Sequence, residues 1–207
     1  MKKFIILFFL LSFNSVLFSQ LLFRSNHLIE PYFGFPNLGV FSTKLLSDSV
    51  NKSNEEYSGI APSGLRYSFM INEDVSVGID VIYNQLKESY ISSESLFENN
   101  DWSTVNNSII KSSQRLRIQA RIDFHFPVSF DRADSYLGIG FGTNNKWKKT
   151  IKNGEVIEKL SGDEAVLFPF SLRFCYGFRY FFNYNFGVNG EVGLCGPLLS
   201  FGLTFKI

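Results

Sequence analysis

The sequence predicts an all-β protein, a closed antiparallel up-and-down transmembrane barrel of about eight strands. Three observations support this fold class. Apolar and polar residues alternate with a period of two along most of the chain. Within these stretches the charged residues fall on the face opposite the apolar ones. Short turns also alternate with long polar connections, which is the arrangement of transmembrane β-barrels.

The N-terminus predicts a signal peptide over residues 1–19, so residues 20–207 form the expected barrel domain. Lys2 and Lys3 precede an apolar run over residues 4–11, and small and polar residues follow it up to Ser19. That run is too short for a membrane-spanning helix, and no later window has about 18 consecutive apolar residues. An exported soluble protein and a barrel are the two possibilities that remain.

The first four strands are expected at residues 28–42, 59–71, 75–87 and 114–126. In the fourth, QRLRIQARIDFHF, charged side chains stand at odd positions and apolar ones at even positions from 116 onward. Residues 72–74, Asn-Glu-Asp, predict a tight turn between the second and third strands. Centring that turn on Glu73 places Arg66 opposite Asp80 on the inner face, as a cross-strand ion pair.

The other four strands are expected at residues 135–144, 165–180, 185–195 and 198–207. Long polar connections are expected at residues 43–58, 88–112 and 145–164. In the last of these, Asn153-Gly154 suits a type I′ turn, so we expect a hairpin that continues above the membrane and sets Phe141 opposite Val166.

The two cysteines are expected to be free thiols. A turn centred near residue 183 places Cys175 opposite Glu191, and Cys195 then lies about 13 Å further along its strand. A disulfide requires Cα atoms within about 7 Å of each other.

The two faces of the strands decide between a membrane barrel and a soluble, lipocalin-like barrel. The chain has 24 Phe and 9 Tyr, a large aromatic volume for the narrow interior of eight strands. We therefore expect the apolar face to contact lipid and the charged face to line the lumen. The residues expected to form a lumen ion-pair network are Glu30, Arg66, Asp80, Arg115, Arg117, Arg121, Asp123, Arg173, Arg179, Glu191 and Lys206.

Two stretches resemble those of a known family. GFPN at 34–37 and EVGLCGPLLSFGLTFKI at 191–207 are similar to sequences of the small outer-membrane β-barrels of Gram-negative bacteria, OmpA/OmpX-type, porin-like or PorT-like. The resemblance implies this fold, a place in the bacterial outer membrane, and insertion by the barrel-assembly machinery. That machinery reads a terminal aromatic residue. Here Ile207 is last and Phe205 stands two before it. The resemblance transfers no catalytic residue.

Composition and motifs argue against several functions. A net charge of +1 gives no reason to expect nucleic acid as a partner. No Cys or His spacing predicts a metal site, so we expect no cofactor, no metal and no enzymatic activity. His125 faces inward with Asp123 two residues away, and we interpret it as a polar residue that fills the lumen.

A basic cluster in the third long connection has two interpretations. Its residues are Lys146, Lys148, Lys149 and Lys152. It is either a solvated outer loop or a surface attracted to the phosphates of lipopolysaccharide.

The expected function is structural or interactive, at the surface of the bacterial envelope. Expected partners are outer-membrane lipids, lipopolysaccharide and an extracellular or secretion-machine protein. Three alternatives remain open: a small porin, an accessory barrel of a secretion system as the PorT-like resemblance implies, and a lipid-A-modifying enzyme that uses His125.

Overall fold

The computed structural model describes residues 22, 24–37, 52–98, 101–126, 128, 132–162 and 168–207. The predicted signal peptide at 1–19 lies outside these residues and stays a prediction. In the described part of the chain, no helix is long and apolar enough to cross a membrane. The described strands are β1 (His27–Phe35), β2 (Lys52–Ser58), β3 (Ser63–Met70), β4 (Val75–Glu98), β5 (Asp101–Phe126), β6 (Ala133–Lys152), β7 (Glu155–Ser161), β8 (Phe170–Phe181), β9 (Phe186–Leu194) and β10 (Leu199–Lys206).

Eight of these strands close into a ring by antiparallel pairing. Their order around the ring is β1, β3, β4, β5, β6, β8, β9 and β10, and β1 pairs with both β3 and β10. The other two strands lie outside the ring, where β2 pairs with β4 and β7 pairs with β6. The predicted closed, antiparallel, up-and-down barrel of eight strands is therefore confirmed.

The first short turn has the predicted register. The Asn72 side-chain oxygen accepts hydrogen bonds from the backbone N–H groups of Asp74 and Val75, at 3.0 and 2.7 Å, which holds the turn. The strands that leave this turn pair Arg66 with Asp80, as expected.

The connection expected at residues 88–112 is instead almost entirely strand. β4 continues to Glu98, β5 begins at Asp101, and the two are paired along this whole length. Apolar alternation marks a strand only where one face meets lipid or a core and the other does not. In this hairpin both faces carry polar residues, Glu88 and Asn107 on one and Ser93 and Asn106 on the other, so the pairing persists while the sequence pattern disappears.

The hairpin formed by β6 and β7 has the predicted turn but not the predicted register. Asn153 and Gly154 have φ angles of 52° and 89°, as a type I′ turn requires. Phe141, however, pairs with Leu172 of β8, so the expected pairing with Val166 is wrong. The pairing of β6 with β7 shifts by one residue between Thr150 and Ile151, because Ile157 of β7 has no partner in the ladder, which extends to Ser161.

The register of β8 against β9 also differs by two residues from the expected one. Cys175 pairs with Gly193, and Glu191 pairs with Gly177, because the turn is centred one residue later than expected. Cys175 is buried and Cys195 is exposed, and both are free thiols as predicted.

The apolar face of the barrel points outward. Along β8, Phe174 and Tyr176 keep 48% and 50% of their surface exposed, whereas Arg173 and Arg179 keep 1% and 0%. This distribution is that of a transmembrane barrel and the reverse of the lipocalin-like alternative, whose interior would be apolar. An apolar cluster of Leu22, Leu28, Met70 and Phe181 lies inside, at the end of the barrel that carries the short turns.

Candidate functional site

Glu191 is the centre of an ion-pair network inside the barrel. Its carboxylate accepts hydrogen bonds or ion pairs from Arg66 at 2.8 Å, Arg121 at 2.5 Å and Arg173 at 2.8 Å. The Tyr136 hydroxyl donates to the same carboxylate at 2.7 Å. All four partners are buried, so three guanidinium groups share one carboxylate away from water.

Glu30 forms a second centre. Arg179 binds it through Nε at 2.7 Å, and the Thr204 hydroxyl donates to it at 2.7 Å. Arg66 Nη1 lies 3.0 Å from Glu30, so this guanidinium joins the Glu30 centre to the Glu191 centre.

The remaining acidic residues extend the network across the lumen. Asp123 accepts from Arg121 Nε at 2.5 Å, and Asp134 accepts from Arg179 Nη1 at 2.7 Å. Asp80 lies 3.7 Å from guanidinium nitrogens of both Arg66 and Arg121.

Eight of the eleven residues expected in the lumen network are therefore joined to one another by ion pairs in the described part of the chain, and the other three make contacts elsewhere in the lumen. Arg117 donates to the Cys195 backbone carbonyl at 3.2 Å, and Arg115 donates to Asn144 at 2.6 Å. Lys206 lies at the opposite end, with its ammonium 3.5 Å from the centre of the Tyr184 ring.

Two tyrosines in the lumen were not expected in the network. Tyr136 places its ring 3.8 Å from the Arg179 guanidinium, while Tyr32 donates its hydroxyl to Asp80 at 2.7 Å. Both stand at positions whose parity is inward, and that parity was the available signal. Gly177 lies directly opposite Tyr136, and a side chain at that position would collide with the tyrosine ring.

His125 has partners that its sequence position did not indicate. Its Nδ1 lies 2.8 Å from Asp134 rather than near Asp123, and its Nε2 lies 2.9 Å from the Ser76 hydroxyl. Serine hydrolases use the same order of groups. Here, however, the Ser76 side chain is fully buried, so the arrangement has no surface open to a substrate. Its effect in this structure is to satisfy three buried polar side chains.

Replacing His125 with Ala is expected to lower the free energy of unfolding by about 1–3 kcal/mol, because Ser76 and Asp134 each lose a buried hydrogen-bond partner. Urea titration of the folded barrel in detergent micelles measures the change. His27→Ala is the control, since the hydrogen bond of His27 to Tyr67 is exposed and costs less to remove. Equal losses for the two variants would contradict the structural role assigned to His125.

The basic residues expected in one outer-loop cluster do not lie together. Two face the interior, one is exposed on the opposite face, and one forms an ion pair. Lys146 and Lys148 face the interior at the end of the barrel that carries the long hairpins. Lys149, which lies between them in β6, is exposed on the opposite face. Lys152 pairs with Glu94 across the hairpins, at 3.4 Å.

A cavity of about 870 Å³ opens at this same end, which we call the outer mouth. Its basic lining consists of Arg115, Arg117, Lys146 and Lys148. The pKa of Lys146 is lowered, first because the side chain is partly desolvated and then because Lys148 and Arg115 are also positive. Among the described residues, no group of three or more His, Cys, Asp or Glu side chains is placed to hold a metal ion.

Comparisons with known proteins identify structural similarity only. No family model matches the chain, and no curated protein matches it. The crystal structure of Ail, the attachment invasion locus protein of Yersinia pestis, is similar with a TM-score of 0.41 and 12% identity over 88% of this chain and 95% of that one. The structure of Ail in complex with the heparin analogue sucrose octasulfate has a TM-score of 0.40 and 13% identity, with the same coverage.

The assignment of the barrel architecture therefore rests on the strand pairing and on the distribution of apolar and charged side chains. Eight antiparallel strands close around a charged, buried interior and turn an apolar face outward. The chain has the architecture of the small outer-membrane β-barrels that its sequence resembles.

Proposed function

We propose that this protein is a closed barrel of the bacterial outer membrane that presents a β-sheet at the cell surface to a partner protein. The observation that carries the proposal is the contrast between two levels of the molecule. The outward apolar residues of the eight ring strands form a band around the barrel, which we call the apolar band. At the level of this band the lumen is filled by ion pairs, while β4, β5 and β6 continue well past it.

The filled lumen supports a closed barrel rather than a porin. The largest fully buried side chains include Arg66, Arg173, Arg179 and Tyr136, all directed into the interior. Eight strands enclose little more than the volume of their own inward side chains. Arginines joined to Glu30 and Glu191 from several strands therefore occupy the path that a solute would take.

The sheet beyond the membrane supports an interactive role. β4 has 24 residues and β5 has 26, whereas about 9–11 residues of a tilted strand cross a bilayer. About fifteen residues of β5 remain, roughly 50 Å of strand at about 3.3 Å per residue. With β2 on one side and β6 and β7 on the other, they form a five-stranded sheet.

The two edges of this sheet are suited to binding another chain. Edge strands present backbone N–H and C=O groups that an added strand can pair with. On β7, Val156 and Ile157 keep 52% and 58% of their surface exposed, so the edge also offers apolar contacts.

The proposed location and partners follow from an orientation in which the long hairpins point out of the cell. Residues 1–19 direct export, the barrel-assembly machinery inserts the chain, and the short turns and both termini face the periplasm. The apolar band contacts membrane lipids, and the long hairpins reach beyond the lipopolysaccharide headgroups to an extracellular partner.

In planar bilayers the purified barrel is expected to give no stepwise conductance above the leak of the bilayer, because the buried ion pairs block the lumen. A porin reconstituted in parallel is the positive control. Regular conductance steps from this protein would favour the alternative of a small porin.

A photo-crosslinking residue tests the interactive role directly. At Ile157, on the exposed edge strand β7, it is expected to form a discrete protein adduct in intact cells. At Ile139, an equally apolar position in the membrane band, it is expected to react with lipid alone. Absence of a protein adduct at Ile157 would contradict the proposal. Adducts with large secretion components would favour the accessory barrel of a secretion system.

A further inference from the structure

The outer mouth gathers positive charge on neighbouring strands. On the inner faces of β5 and β6, Arg115 stands directly opposite Lys146, and Ser113 stands opposite Lys148. Arg117 is one inward position deeper, opposite Asn144. Four cationic side chains thus line one cavity, and none of the described residues in its lining is Asp or Glu.

This arrangement is unfavourable for the empty protein. Like charges directly opposite each other on neighbouring strands destabilise a sheet. Deeper in the same barrel an inward arginine has an acidic residue opposite it on the neighbouring strand, since Arg66 stands opposite Asp80. Within the described residues, none of the four cations at the outer mouth forms an ion pair with a carboxylate. The pKa of Lys146 is lowered first by partial desolvation and then by the positive charges of Lys148 and Arg115.

Arg117 is the least satisfied of the four. It keeps only 4% of its surface exposed, yet its Nε has no hydrogen-bond partner in the described part of the chain. Its guanidinium donates to the neutral Cys195 carbonyl at 3.2 Å. A buried charge without a counter-charge is costly, and an anion in the cavity above it would supply one.

We propose that the outer mouth is a binding site for a multiply charged anion that carries phosphate or sulfate groups. Guanidinium groups bind such oxyanions with two parallel hydrogen bonds, and ammonium groups add charge at the rim. Arg117 forms the floor of the site, Arg115 and Lys146 form its walls, and Lys148 stands at its entrance.

The size and the lining of the cavity indicate a second property of the ligand. A volume of about 870 Å³ holds far more than one phosphate or sulfate ion. Asn84 and Asn144 add amide groups, while Pro36, Pro62 and Phe168 form an apolar part of the lining. This mixture suits a phosphorylated or sulfated sugar. The assignment rests on the proposed function only in placing the mouth at the cell exterior.

Isothermal titration of the folded protein in a zwitterionic detergent, with inositol hexakisphosphate as the probe, tests the site. We expect saturable binding with one probe per barrel. Arg117→Gln is expected to weaken binding at least tenfold, since a charge-assisted hydrogen bond contributes about 1.5–3 kcal/mol and about 1.4 kcal/mol is a factor of ten. The double variant Lys146→Gln with Lys148→Gln is expected to do the same at less buried positions, where folding is unaffected.

Lys149→Gln is the matched control. It removes the same charge from the same strand, but on the face turned away from the cavity, and binding is expected to stay within about twofold. An equal loss for Lys149→Gln and for the double variant would overturn the site, because it would show a general surface attraction. Absence of saturable binding to the unsubstituted protein would also overturn it.

A competition experiment identifies the source of the ligand. If lipopolysaccharide vesicles displace the probe from the protein but not from the double variant, the phosphates of lipopolysaccharide occupy the site. If the probe binds and the vesicles do not displace it, the ligand is a soluble phosphorylated or sulfated sugar. Neither result depends on conductance or on crosslinking at Ile157, so failure of this site is distinguishable from failure of the proposed function.

Discussion

Replacing Glu191 with Gln is expected to lower the free energy of unfolding by about 3–5 kcal/mol, the range observed when one partner of a buried ion pair is removed. The amide has nearly the same shape as the carboxylate, so the loss is electrostatic. Arg66, Arg121 and Arg173 would remain buried, with three positive charges around a neutral group. The Tyr136 hydroxyl would keep an acceptor, which isolates the effect of charge from that of hydrogen bonding.

The measurement is urea unfolding in detergent micelles, followed by the electrophoretic mobility of unboiled samples, because a folded barrel migrates differently from the unfolded chain. Glu155→Gln is the matched control. Glu155 lies at the exposed tip of the β6–β7 hairpin, where the same substitution is expected to change stability by less than about 0.5 kcal/mol. Similar small effects at both positions would show that the ion pairs fill the lumen without holding the strands together.

Replacing Ile139 with Arg is expected to cost about 2–4 kcal/mol, the range for arginine on the lipid face of a barrel near the bilayer midplane. Ile139 points outward and is 45% exposed, so the substitution meets no steric obstacle in the protein. The cost arises from the surrounding lipid, which the guanidinium group cannot hydrogen-bond to in the hydrocarbon region.

Ile157 is the control for this second prediction. It is also an exposed isoleucine in a β-strand, 58% exposed, but β7 lies outside the barrel ring. Ile157→Arg is expected to leave stability within about 0.5 kcal/mol. The comparison is made in lipid vesicles rather than micelles, so that the depth of the bilayer is present. Equal costs at both positions would contradict a membrane boundary between them.

The site shows the limits of strand parity as a guide. Parity placed Glu191, Arg66, Arg121 and Arg173 on the inner face, where the structure buries them, because lipid excludes charged residues from the outer positions of each strand. It did not identify which of them touch, since pairing across the lumen depends on side-chain length and strand stagger rather than on sequence distance. Asp134 was missed because it lies one residue before the expected strand at residues 135–144, although it binds both Arg179 and His125.

The basic residues of the third connection show the same limit outside the membrane. Lys148 and Lys149 are adjacent in sequence and were grouped together, yet consecutive side chains of a strand point to opposite faces. The pairing of β6 with β5 then brings Arg115 and Arg117, about 30 residues away in the chain, to the side of Lys146. The register between β5 and β6 therefore determines which basic residues line the outer mouth.

By itself, the sequence determined the fold class, the outward apolar face, the inward charged face and the first short turn. Each of these follows from local alternation or from turn chemistry within a few residues. The tertiary structure decided the length of the β4–β5 hairpin, the partners of each arginine and the position of the outer mouth. These depend on ring closure and on the stagger between strands, and ring closure brings residues such as Glu30 and Arg179 into contact from β1 and β8. No local pattern encodes that meeting, because the contact forms only when the last strand pairs with the first.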